Sequence, residues 1–121
     1  MRITYQLIHP EGFNFIREIK DRTSPTRLKK RQRRKADRGI REIRTFRYDA
    51  KRGRLYHGTN REKRWFRDSS AWITVRAPTS GVTVGEINAP EDSEARISHH
   101  FLGMLNRHFA EKVCSLQFQY R

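Results

Sequence analysis

Five histidines and twenty arginines hold most of the reactive chemistry available to this 121-residue sequence. His9, His57, His99, His100 and His108 are the side chains that exchange protons near neutral pH. His57 is the one set among arginines, and a neutral imidazole beside a guanidinium could serve as the base in metal-independent RNA cleavage. Arginine would then stabilise the pentacovalent phosphorus. His100, Met104 and His108 lie four apart and share a helix face beside an apolar stripe. Zinc would need three or four ligands in suitable geometry, and no carboxylate recurs at that spacing. Packing or hydrogen-bonded histidines are therefore the expectation there. Glu91, Asp92 and Glu94 cluster at a helix start, where capping explains them. Nothing calls for a metal or cofactor.

The arginines are concentrated. From Arg17 to Arg67 there are 21 Lys/Arg against 6 Asp/Glu, a net +15, while the whole chain carries a net +14. Arg27 to Arg38 alone has eight basic residues in twelve. Like charges at that density repel, so an isolated segment would be at best marginally helical; either a partner or neighbouring protein must order it, and a partner is the expectation. Aromatic residues (Phe46, Tyr48, Tyr56, Trp65 and Phe66) interleave with the cations. Cations neutralise phosphate and release counterions, and exposed rings stack on unpaired bases; the same rings could equally be core. Arg outnumbers Lys by 20 to 7, which suits bidentate contact with phosphate and stacking on RNA bases, although a GC-rich genome would give the same bias.

The expectation is a non-enzymatic nucleic-acid-binding protein, RNA slightly favoured over DNA. Its contacts would be Arg27, Lys29, Lys30, Arg31, Arg33, Arg34, Lys35, Arg38, Arg41, Arg44, Arg47, Lys51, Arg52, Arg54, Arg61, Lys63, Arg64 and Arg67. One alternative is a small subunit or inhibitor that docks on a nucleoprotein complex. Another is an endoribonuclease with His57 as base, by analogy with small bacterial endoribonuclease toxins built on basic α+β domains of this size. The tripeptide His57-Gly58-Thr59 also resembles the His-Gly-Thr element of ADP-ribosyltransferases, whose histidine holds the nicotinamide-side ribose. Those enzymes carry a later Tyr and usually a Glu on further strands. No convincing Tyr lies between Thr59 and the C-terminal strand.

Positioning these groups falls to a small set of elements. Ile3, Tyr5, Leu7 and His9 alternate with polar residues, as do Cys114, Leu116, Phe118 and Tyr120, giving two half-buried strands. Cys114 reads as a small buried hydrophobe. Phe13, Phe15, Ile16 and Ile19 predict a helix over Gly12–Arg22. Ser24 and Pro25 restart it as a cap and first helical residue, and the basic helix runs on to about Gly39. Ile43–Tyr48 and Arg54–His57 form one hairpin, Ala71–Ala77 and Val82–Ile87 another. After Ala89-Pro90-Glu91-Asp92-Ser93, the residues Ile97, Phe101, Leu105 and Phe109, with Met104, form the core stripe of a last helix.

The fold expected is a single α+β domain: a mainly antiparallel sheet of five to six strands with two helices on one face, ferredoxin-like in spirit. A strongly basic segment at 24–67 is inserted into it. One cysteine excludes an internal disulfide. No apolar run reaches the ~20 residues of a membrane span, and Met1-Arg2-Ile3-Thr4-Tyr5-Gln6 lacks the apolar stretch of a secretory leader. A cytoplasmic protein without a membrane partner is expected.

Overall fold

The computed structural model describes residues 3–61 and 64–120, with the side chains of residues 59–69 outside the description. Strand β1 (Ile3–Ile8) is followed by helices α1 (Phe15–Arg22) and α2 (Pro25–Gln32) and a 3₁₀ turn at Lys35–Asp37. Five strands come next: β2 (Phe46–Asp49), β3 (Arg54–Arg61), β4 (Arg64–Thr74), β5 (Arg76–Thr79) and β6 (Val82–Asn88). Helix α3 (Glu94–Phe109) and strand β7 (Ser115–Tyr120) complete the chain. The strands form one antiparallel sheet in the order β2-β3-β4-β6-β1-β7, with β5 beside β6. Within it β4-β6-β1-β7, with helices after β1 and before β7, has the order of a ferredoxin-like sheet. The hairpin β2–β3 extends it.

The period-two pattern of β1 places Ile3, Tyr5 and Leu7 on the covered face, and α1 and α3 supply the cover. Phe15 and Ile19 from α1 meet Phe101, Leu105 and Phe109 from α3 in one core with Phe46, Leu55, Ile73 and Ile87. Phe15 and Phe109 pack edge-on at 5.2 Å between centroids, and Tyr5 meets Phe101 at 4.9 Å. Tyr5 Oη donates to the Thr74 carbonyl at 2.7 Å. That reach requires glycine at position 85, opposite Tyr5, because a Cβ there would stand 1.8 Å from the Thr74 oxygen. Gly53 and Gly81 turn two hairpins at φ of 63° and 85°, a left-handed conformation that costs glycine least.

Local signals account for the ends of α1 and the start of α2. Asn14 Oδ1 accepts from the Arg17 amide at 3.0 Å, so α1 begins at Phe15 and not at Gly12. Ser24 caps α2 with Pro25 at its first position, as expected. The basic helix stops at Gln32, short of Gly39. The strand expected from Ile43 begins at Phe46, since the Ile43 amide bonds instead to the Arg22 carbonyl at 2.9 Å. Residues 71–77 are divided between β4 and β5 at Val75, whose amide bonds to the Gly53 carbonyl at 3.3 Å. Cys114 is exposed, not buried: β7 is an edge strand, and its covered-face residues Leu116 and Phe118 are only half-buried. Among the described residues no helix is long and apolar enough to cross a membrane.

Candidate nucleic-acid interface

The basic helix is held by counter-charge from within the chain. Leu28 is buried, and Arg31 reaches three carboxylates at once: Glu18, Asp21 at 3.2 Å and Asp37 at 3.4 Å. Arg22 reaches Glu18 at 2.9 Å from the same side. With 18% of its side chain exposed, Arg31 is a structural clip joining α1, α2 and the 3₁₀ turn. It is not a free surface cation. The ordering role expected of a partner is thus met in part by Glu18, Asp21 and Asp37.

With Arg31 spent inside, α2 turns its other cations outward. Arg27, Lys29, Lys30, Arg33, Arg34, Lys35 and Arg38 are exposed, as are Arg41, Arg44, Arg47, Lys51 and Arg52. A hollow of about 550 Å³ lies between α2 and residues 38–44, lined by Lys29, Gln32, Arg38, Arg41 and Arg44 among others. Lys29 also lines a smaller hollow with Lys30 and Arg33. On the far side of residues 41–45 a third cleft, of about 340 Å³, opens against α3. Arg41, Glu42 and Arg44 line both the first and the third. The result is a chain of basic hollows from α2 to α3.

The third cleft gathers the histidines. Its walls are Arg41, Glu42, Arg44 and Thr45 on one side and His99, His100, Gly103, Met104, Arg107 and His108 on the other. Arg41 donates to the Arg107 carbonyl at 3.4 Å and Arg22 to the His108 carbonyl at 3.0 Å, closing the C-terminal end of α3 with cations. Burial, the neighbouring His99 and Arg96 hold His100 below the ordinary histidine range. Burial, then Arg22, Arg41 and Arg107, push His108 down to about 4. Both imidazoles are kept neutral beside arginines.

His57 stands behind this cleft. It is buried on β3, packed edge-on against Phe46, with its Nε2 2.6 Å from Nδ1 of His100. The sequence places His57 at a strand end; it lies inside β3, at the bulge between Tyr56 and Gly58. The ring of the His57-Gly58-Thr59 tripeptide is therefore directed to α3. His9, at the end of the β1 alternation, is buried and bonded to Thr83 Oγ1 at 2.8 Å. Among the described residues no three His, Cys, Asp or Glu side chains stand together as a metal site would require.

The remaining expected contacts separate by face. Arg54 lies over the Trp72 ring at 4.3 Å, and Arg52 pairs with Asp49 at 3.5 Å. Hydrogen bonding from Arg54, joined by Arg52, lowers the Tyr56 phenol against the effect of its burial. Phe46 is core and Tyr48 half-buried against it. The side chains of Arg61, Lys63, Arg64, Trp65, Phe66 and Arg67 lie outside the described residues.

Sequence reasoning missed Arg107; for His100 and His108 it expected packing or hydrogen-bonded rings, and both are half-buried, with His100 bonded to His57. The signal present was the i, i+8 pair His100 and His108 on one helix face; what was missing is tertiary, the segment 41–45 lying opposite. Compared with protein-family models, with curated proteins and with solved structures, the chain gives no match.

Proposed function

We propose that this protein binds nucleic acid, single-stranded RNA in preference to duplex DNA, along the basic hollows from α2 to α3. The observation that carries the reading is their continuity: Arg41 and Arg44 line both the α2 hollow and the histidine cleft. A polyanion lying there passes Lys30 and Arg33, then Lys29 and Arg38, then Arg41, Arg44 and Arg107. Recesses of a few hundred Å³ suit one ligand group at a time, which favours the splayed nucleotides of a single strand over a convex duplex. Guanidinium groups in excess of ammonium groups support the same choice.

A gel shift against matched single-stranded RNA, duplex RNA and duplex DNA tests this, repeated from about 50 to 300 mM salt with the Lys29→Ala/Arg41→Ala/Arg44→Ala variant alongside. The wild-type chain is expected to prefer the single strand with a steep salt dependence. The variant should bind all sequences more weakly, its log–log salt slope shallower by roughly two. An unchanged slope would remove these residues from the interface. Weak, unselective binding by the wild type would move the reading to a protein partner within a nucleoprotein complex.

A further inference from the structure

The histidine cleft contains more than retention of a phosphate requires, and the inference from it rests on the nucleic-acid reading above. We propose that it cleaves single-stranded RNA, with His100 as general base and His57 as the positioning residue behind it. Three features place the chemistry here and not elsewhere on the basic track. Two imidazoles in hydrogen-bond contact, His57 and His100, link a buried strand to the cleft wall. A third, His99, is exposed on the same wall, its ring 6.3 Å from that of His100, a span that a phosphate group can bridge. Three guanidinium groups, Arg41, Arg44 and Arg107, line the space those rings border.

The contact between His57 Nε2 and His100 Nδ1 allows one donor and one acceptor. With His100 donating from Nδ1, its Nε2 carries the lone pair, and His57 holds that tautomer much as a buried acceptor orients a catalytic histidine. Around His100 stand His57 from β3, His99 and Arg96 from its own helix, and Arg41, Glu42 and Arg44 across the cleft. Burial first, and then His99 and Arg96, favour the neutral imidazole, the form a base needs.

In the step itself, Nε2 of His100 takes the proton of a ribose 2′-hydroxyl. The 2′-oxygen bonds to the adjacent phosphorus, the P–O5′ bond breaks, and the 5′-oxygen leaves with a proton from the imidazolium form of His99. The products are a 2′,3′-cyclic phosphate and a 5′-hydroxyl. His100 has gained one proton and His99 has lost one, so atoms and charge balance without a co-reactant. Negative charge growing on the non-bridging oxygens is met by the three arginines.

The full chain is incubated with a short labelled single-stranded RNA in EDTA, and with the same strand carrying 2′-deoxyribose throughout. A gel shift is run on the same samples. Cleavage of the RNA alone, with cyclic phosphate ends, is expected. His100→Gln should lower the rate at least ~100-fold, and His99→Gln, at an exposed position with less risk to folding, should lower it at least ~10-fold. His57→Gln retains an acceptor and should keep most activity. His57→Phe should lose about tenfold and move the His100 imidazole to its other tautomer in a nitrogen-15 spectrum, a change that loss of packing alone would not produce. RNA that is bound but stays intact overturns the cleavage proposal and leaves the binding reading standing, as does cleavage indifferent to His100→Gln and His99→Gln. RNA neither bound nor cut overturns both.

Discussion

His108 and His9 show how one residue type takes two roles according to its neighbours. His9 is buried with its ring held by Thr83 and the Pro10 carbonyl, so it packs. His108 is half-buried and meets Arg22 from α1, Arg41 from the segment before β2 and Arg107 from its own helix. Burial first, and these cations after it, hold its pKa at about 4, against an ordinary value of 6.5. Between those values the unfolded chain binds a proton that the folded chain refuses, so stability is full above about pH 6.5 and falls as pH drops towards 4. Urea denaturation at pH 7 and at pH 4.5 should show the loss, and His108→Gln should reduce the difference between the two midpoints. An identical difference in the variant would mean that His108 takes up its proton freely in the folded protein.

At the scale of elements, the basic helix depends on a clip. Arg31 joins Glu18, Asp21 and Asp37, three carboxylates from α1 and from the turn after α2. Arg31→Ala leaves those carboxylates facing one another and should destabilise the chain by about 2 kcal/mol, with faster tryptic cutting between Lys29 and Arg38. Arg33→Ala, at an exposed position, should stay within about 0.5 kcal/mol of wild type. Equal stability for the two variants in guanidinium titrations would contradict the clip. Much of this architecture was legible where the signal is local: the alternation of β1, the Ser24-Pro25 restart, and the stripe Ile97, Phe101, Leu105 and Phe109. What was not legible depends on distant partners. Nothing near Gln32 marks a helix stop, because α2 ends where Arg31 can reach Asp37. Ile43 reads as strand, yet its amide is taken by Arg22. Cys114 has a core-like pattern, but β7 has no neighbour beyond it in the sheet. The cleft was hidden for the same reason, since His100 joins Arg41 only after α3 packs against residues 41–45.

Across the whole molecule the two faces of the sheet divide the work. The covered face carries the core, α1, α3 and the histidine cleft, while around β1, β6 and β7 the other face displays Thr4, Gln6, Gln117 and Gln119. A net +15 between Arg17 and Arg67 would attract any polyanion; the proposed track is more specific, because it runs through residues that only the fold brings together. The direct measurement is an amide chemical-shift titration of the labelled chain with a short single-stranded RNA, unable to react because each ribose is 2′-deoxy at the cleavable positions. The largest shifts are expected in two sequence-distant stretches at once, Lys29–Thr45 and His99–His108, with β1 and β7 unmoved. Shifts spread evenly over every basic residue, or confined to the open face around Gln6 and Gln117, would contradict it.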